Sequence, residues 1–455
     1  MQTTHYKLNQ FVILCRGIGA AASMLALFAN VQTMKAADGD LDPTFGVGGK
    51  VMTDFNHSTD WANAVAIQPD GKFVVVGTTY KQNDFSDEDF AVARYNTDGT
   101  LDSSFGSGGK VHTDFPGLAA VPSSVLLQPD AKILVVGGAY PLFTFLGNIE
   151  MVRYNSNGNL DRSFGDNGIV TTVLDAGSYA NAVVQQSDGK IIVAGTLFVD
   201  VVIGDQSDTD FVLVRYNRNG SLDTTFGNGG VVSTDFFGRE DDAFSVLLQP
   251  DGKIVAVGSA NDPASYYDFA AVRYLNNGTI DETFGTSGTV TTDFGDQNFD
   301  RARSAVLLPN GKIIAAGFAI SQGGGVQNFA VARYTKDGVL DNGFSNDGKQ
   351  QITFDNCCQS ANQVLLQPDG KIITVGYANT EDSDSDFLLA RLNPNGSLDS
   401  TFGVAGKVRT SFGDLNGGAN GAALQQDGKI VAVGFQATFS NHWSEFALAR
   451  YLDGQ

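Results

Sequence analysis

The sequence predicts an all-β protein, a single seven-bladed β-propeller of four-stranded blades. Three observations carry that expectation. A phrase of the form Leu-Asp-x-x-Phe-Gly recurs at Leu41, Leu101, Leu160, Leu222, Ile280, Leu340 and Leu398, a period of about 60 residues that suits one four-stranded blade per repeat. Each repeat holds four short apolar runs separated by turn residues. The chain opens on a fourth run alone (Lys50 to Phe55) and closes on the first three runs of the last repeat (Ala419 to Tyr451). Pairing those two pieces completes the seventh blade and ties the ring shut.

The elements follow in order through one repeat. Ala62 to Gln68 is the first strand, and Pro69-Asp70-Gly71 turns it back into Lys72 to Gly77. Pro pre-sets φ, Asp caps the turn and Gly takes the left-handed position, so the two β-branched runs read as a hairpin. Phe90 to Tyr95 is the third strand, and its Arg94 recurs as Arg153, Arg215, Arg273, Arg333, Arg391 and Arg450. Asn96-Thr97-Asp98-Gly99 turns the chain into the recurring phrase, and Lys110 to Phe115 is the fourth strand. Runs without polar alternation belong to strands buried on both faces, as in sheets stacked around an axis.

These phrases carry a resemblance. Leu222-Asp-Thr-Thr-Phe-Gly, Gln249-Pro-Asp-Gly-Lys-Ile and Phe-Ala-Val-Ala-Arg-Tyr at Phe90 and Phe329 resemble the bacterial delta-sixty repeat, over residues 38 to 455. The resemblance implies a propeller of secreted and surface proteins, without a defined biochemical activity. Three local departures stand out: Leu340-Asp-Asn-Gly-Phe-Ser lacks the last Gly, Ala131 replaces a turn Gly, and Leu392 replaces the Tyr after Arg.

Residues 1–37 lie outside the repeats. Lys7 and Arg16 precede an apolar, small-residue stretch from Gly17 to Ala29, and the first acidic residue is Asp38. This is the pattern of a secretory signal peptide, with residues 38–455 as the propeller. No uninterrupted apolar run reaches the roughly 18 residues of a spanning helix. The expected product is therefore an exported monomer, secreted or at the cell surface, without a transmembrane segment once the signal is removed. Cys15 leaves with the signal, and the adjacent Cys357 and Cys358 are too close in sequence for an unstrained disulfide.

A net charge of −21 argues against nucleic acid as a partner, because phosphate binding needs basic clusters. A residue type present in every blade is expected to serve the blade. The repeated Asp therefore reads as a turn cap and the repeated Arg as an inter-blade link. No cofactor and no metal ligand set is required by any motif. Calcium is kept as a candidate at Asp87-Glu88-Asp89, Asp205 to Asp210 and Asp382 to Asp386, where carboxylates cluster. The mature chain has His57, His112 and His442 and lacks a Gly-x-Ser-x-Gly nucleophile motif, so no catalytic residue is assigned.

The conserved turns fall on one face of the ring and the variable connections on the other, among them loops expected at Thr78 to Asp89, Thr196 to Asp210 and Tyr377 to Asp386. Variable loops on a rigid scaffold are where binding resides. Axis-proximal positions read Asn63, Ser123, Asn181, Phe244, Arg303, Asn362 and Asn420. Arg303, with Arg301, breaks the Asn habit and marks an anion site near the channel mouth, the alternative being a salt bridge to Asp242 or Asp300. A second convergence is expected at the seam, where His57 and Trp61 meet His442 and Trp443. The candidate ligand-binding set is thus His57, Trp61, Asp242, Arg301, Arg303, His442 and Trp443. The function expected is a non-catalytic binding module for an unknown protein or glycan ligand. The alternatives are a polysaccharide-active lyase or hydrolase on the same face and a purely structural surface protein.

Overall fold

The computed structural model describes residues 37–453, apart from 56, 82–83, 142–146, 175–176, 201–207, 296–298, 321–324, 355–357, 380–384, 414–415 and 439–442. The signal-peptide segment, His442 and Cys357 therefore lie outside the described residues. Twenty-eight strands form seven antiparallel four-stranded sheets. Among the described residues no helix is long and apolar enough to cross a membrane.

Blade 1 takes Asp60–Ile67, Phe73–Lys81, Asp84–Tyr95 and Lys110–Thr113 from the axis outward. Blades 2 to 6 repeat that order with inner strands Leu118–Leu127, Ser178–Gln185, Asp241–Leu248, Asp300–Leu307 and Gln359–Leu366. Blade 7 combines Gly417–Leu424, Ile430–Thr438 and Trp443–Tyr451 with Lys50–Thr53, whose Val51 pairs with Leu448. The ring is closed from both ends of the chain, as the register of the runs predicts. Seven apolar clusters fill the spaces between neighbouring blades, so each sheet is buried on both faces and no alternation is needed.

One expectation needs correction. The connections between second and third strands are shorter than the sequence suggested, because the ladder runs on through them. In blade 1, Thr79 pairs with Asp89 and Tyr80 with Glu88, where β-branched and aromatic residues favour extended pairing. In blade 4 only residues 263–265 separate the two strands.

The recurring phrase is explained by what each of its residues touches. Asp102 Oδ1 accepts from the Ser104 N–H and hydroxyl, capping its own turn, while Oδ2 receives Arg94 Nε and Lys72 Nζ, both at 2.8 Å. The Arg94 guanidinium lies 4.6 Å from the Phe105 ring centroid and donates to the Ser156 carbonyl of blade 2. The Gly106 N–H, at φ +54°, donates to the Asn157 carbonyl of blade 2, and a Cβ there would sit 2.2 Å from the Lys110 carbonyl. In blade 5, Ser345 holds this conformation at φ +49° and still donates to Asn395.

All seven blades carry the Lys–Asp–Arg cluster. Burial alone would raise the Asp42 carboxyl, but the Thr44 hydroxyl and N–H, with Lys429 and Arg450, hold it down at about 2. In six blades the Arg reaches a main-chain carbonyl of the next blade. In blade 6 the next turn is split between the chain ends, and Arg391 donates to Asp453 Oδ1 at 2.8 Å and to Asp38 Oδ2 at 2.6 Å. Arg391 is fully buried. Asp38 also supplies the carbonyl that receives the Gly403 N–H, the role Asn157 plays for Gly106.

The Tyr after each Arg donates to or accepts from a Thr at the end of the preceding blade's outer strand, as Tyr95 does with Thr53 at 2.8 Å. Blade 6 has Leu392 instead, and the preceding strand ends in Ile352; both lie in one apolar cluster. A polar pair has been exchanged for an apolar one, which leaves no hydroxyl unpaired.

Two predictions follow from these contacts. Arg391→Ala leaves Asp453 buried without its cation and Asp399 with Lys371 alone, and should lower unfolding free energy by about 3–5 kcal/mol in urea titrations. Leu392→Tyr should cost about 1–3 kcal/mol by burying a hydroxyl against Ile352, and adding Ile352→Thr should recover most of that loss in a double-mutant cycle.

Candidate functional site

The inner strands of all blades carry a β-bulge at the same place. The extra residues are Asn63, Ser123, Asn181, Phe244, Arg303, Asn362 and Asn420, the positions singled out from sequence. A bulge leaves a residue outside the ladder and re-aims its side chain. Asn63 Nδ2 donates to the Pro122 carbonyl of blade 2 at 2.8 Å, Asn181 to Ala243 at 2.9 Å, and Asn362 to Ala419 and Asn420 to Ala62 at 3.0 Å each. The Asn habit is thus a link between neighbouring bulges.

Phe244 and Arg303 are excused from that link. The residue after each is a Ser, and Ser245 and Ser304 Oγ accept from the Ala305 and Val364 N–H of the next blade at 3.2 Å. With the inter-blade contact supplied by Ser, the bulge side chains are free for other use.

Arg303 lies with its guanidinium 4.6 Å from the Phe244 ring centroid and 5.9 Å from that of Phe318. Its Nε is buried and has no acceptor. Burial, then the Arg301 charge, push its pKa below the usual value, opposed by Tyr377, Asp242 and Tyr179. Arg301 stacks on Tyr267 at 3.7 Å. Asp242 Oδ1 is held instead by the Thr196 hydroxyl at 2.8 Å and the Tyr179 hydroxyl at 3.4 Å. Among the described ion pairs none joins Arg301 or Arg303 directly to Asp242 or Asp300, although the Asp242 charge lies near enough to favour the Arg303 cation.

Beside Arg301 runs an aromatic stack. Phe299 lies 5.5 Å from Tyr267 and 5.7 Å from Tyr266, with interplanar angles of 25° and 21°. Tyr266 is 56% exposed and sits at φ +63°, a region costly for a bulky side chain, directly after the tight 263–265 connection.

At the seam the expected group is divided. His57 Nδ1 meets Asp54 at 2.8 Å, and its ring stacks on Trp443 at 6.3 Å. Trp61, 42% exposed, packs on Phe435 at 5.7 Å and Tyr80 at 6.3 Å. Glu88, from the first acidic run, accepts from the Tyr80 and Tyr140 hydroxyls, and Asp89 from His112 Nε2 and the Phe115 N–H. Of the third run, Asp386 pairs with Arg409 at 3.3 Å.

Buried carboxylates at the blade junctions were not foreseen. Asp60, Asp241 and Asp300, all fully buried, accept the N–H of Phe55, Phe236 and Phe294 where an outer strand crosses to the next inner strand. Gln359 does the same for Phe354. At two junctions further carboxylates join. Asp210, Asp235 and Asp241 place oxygens within 4.8 Å of one another, as do Asp268, Asp293 and Asp300. Superposing the repeats as text would have shown these columns, since Thr-Asp-Phe ends both outer strands and an Asp begins both following inner strands.

A family model for a β-propeller domain of unknown function matches residues 68–105, 128–164, 186–226, 249–284, 308–344 and 367–402. The chain belongs to a propeller repeat family. Each of those six matches runs from the first turn to the Phe of the recurring phrase, so it takes in both turns that carry the Lys–Asp–Arg cluster and the second and third strands between them. No curated protein matches the sequence. Solved structures with a similar backbone include virginiamycin B lyase from Staphylococcus aureus (10% identity, 88% of this chain and 98% of that one, TM-score 0.44). Others are an ulvan lyase of a new polysaccharide-lyase family (11%, 87% and 95%, 0.48) and an α-L-arabinanase from Penicillium chrysogenum (14%, 74% and 94%, 0.41). At such identities and TM-scores they carry no argument about what this chain does.

The variable face also carries a pH dependence. Burial raises Glu150 to about 7 against the opposing bond from the Thr171 hydroxyl at 2.8 Å. A carboxyl raised on folding contributes stability fully present below about pH 4.5 and lost as pH climbs towards 7. Glu150→Gln should therefore match the parent near pH 4 and exceed it by on the order of 2–3 kcal/mol at pH 8, read from urea unfolding at both pH values.

Proposed function

We propose that this chain is an exported, monomeric propeller of the delta-sixty type that acts as a non-catalytic binding module for an anionic ligand, such as a uronic-acid glycan. The observation that carries the reading is Arg303, whose buried Nε lacks an acceptor between two aromatic rings. Burying that guanidinium with an unpaired Nε carries a desolvation cost that the nearby Asp242 charge offsets only in part. A carboxylate ligand would supply the missing acceptor in the planar, two-pronged geometry that guanidinium matches.

The neighbours suit a sugar. Arg301 and the Tyr267–Phe299–Tyr266 stack offer a second cation and flat apolar faces, on which sugar rings pack. Export is supported by the basic and apolar pattern of residues 1–37. Tyr179 is a poor proton acceptor, since burial and the nearby Asp242 raise its pKa, which favours binding over lyase chemistry through that hydroxyl.

Calorimetry with polygalacturonate fragments and matched neutral galactan fragments tests the reading. Binding restricted to the anionic series, weakened at least about tenfold (roughly 1.4 kcal/mol) by Arg303→Ala, is expected. Arg301→Lys should weaken it less, keeping charge while losing the stacked plane. A folded protein that ignores every anionic glycan sinks the proposal, and release of shortened fragments would replace a binding module with an enzyme.

A further inference from the structure

We propose that Asp268, Asp293 and Asp300 form a calcium site at the junction of blades 4 and 5 on the variable face. The three residues come from the start of the third strand of blade 4, the end of its outer strand, and the start of the inner strand of blade 5. Each offers a carboxylate oxygen within 4.8 Å of the other two.

What separates this cluster from an ordinary acidic surface is burial with vacant oxygens. Asp268 is 3% exposed; its Oδ2 accepts from the Ser265 hydroxyl at 2.8 Å, and its Oδ1 has no donor. Asp300 is fully buried; its Oδ2 accepts from the Phe294 N–H at 2.7 Å. Its Oδ1 has no donor in good hydrogen-bond geometry, although the Ile320 N–H lies near the carboxylate. Asp293 is the more exposed member, with Oδ1 bound by the Gly295 N–H at 2.7 Å, and it gives the site its opening to solvent.

The surrounding charges do not satisfy the cluster. Asp262 adds a further negative charge near Asp268. Lys349 is the neighbouring cation, and its Nζ is spent on the Asp293 main-chain carbonyl at 3.0 Å. Among the described ion pairs none links a cation to these three carboxylates. Three carboxylates whose oxygens lie within 4.8 Å repel one another, and a cation between them would offset that repulsion.

The donor set selects the cation. An all-oxygen, carboxylate-rich site suits a hard ion rather than zinc or copper. Calcium, with bonds of about 2.3–2.6 Å, bridges oxygens up to about 5 Å apart, whereas magnesium at about 2.0–2.1 Å reaches only about 4 Å and holds its waters. Water through the open side completes the six to eight oxygens that calcium takes. The junction one blade earlier is less apt, because Asp241 has both oxygens engaged by the Phe236 and Asn261 N–H groups.

The test uses the whole mature chain and calcium alone, so it is independent of any glycan. Calorimetry at pH 7.5 with calcium chloride should show one bound ion per chain, and calcium should raise the melting temperature. Asp268→Asn/Asp300→Asn should abolish both effects while melting higher than the calcium-free parent, since the repulsion is removed. Asp293→Asn, altered only at the open side, should fold like the parent and bind calcium at least tenfold more weakly. A folded parent with neither heat nor melting shift at millimolar calcium overturns the proposal. So does binding that persists in the double variant and disappears in Asp210→Asn.

Discussion

The ring stands on the guanidinium of one arginine per blade. Each such Arg is held by its own blade's Asp, lies over its own blade's Phe, and donates across the gap to the next blade. Because the same Asp also binds the Lys of the Pro-Asp-Gly turn, the two turns of a blade and the first contact to its neighbour are one charged unit. Charge-assisted, directional bonds set the angle between blades more sharply than the apolar packing between sheets can. The blade interiors then fill the space that this geometry defines.

The two faces of the ring use carboxylates in opposite ways. On the turn face the repeated Asp is ionised and saturated, its pKa drawn below the usual range by Lys, Arg and hydroxyl donors. On the variable face Asp60, Glu150, Asp241 and Asp300 are buried with fewer donors, and their pKa values are raised. The first kind sets structure at any physiological pH. The second kind leaves charge unbalanced, which is the condition under which a site recruits a proton, an ion or a ligand.

Blade number, strand order and closure were legible because every copy repeats the same turn chemistry, and turn chemistry is local. The position of Arg303 was legible for the same reason, as a break in a column of Asn. Its partners were not, since Ser304 takes over the inter-blade bond only through a neighbour some 60 residues on, at Val364. The Asp268, Asp293 and Asp300 niche draws on three strands of two blades, and nothing in a single stretch of sequence marks it. The second-to-third-strand connections misled for a different reason: Thr78, Thr79 and Tyr80 are as able to extend a ladder as to leave it, and pairing with the facing strand decided the matter.

Closure from both ends has a consequence for how such a chain changes over generations. Blade 7 is assembled from both ends of the chain, and the latch joins Asp38 and Asp453 to Arg391, Gln367 and the Gly403 N–H of the blade before it. Every Arg in the series is made to the same pattern, so recombination between repeats can add or delete a whole unit without rewriting the latch. Individual blades are left to diverge one at a time, as the Leu392 and Ile352 exchange and the appearance of Phe244 and Arg303 in the bulge column already show.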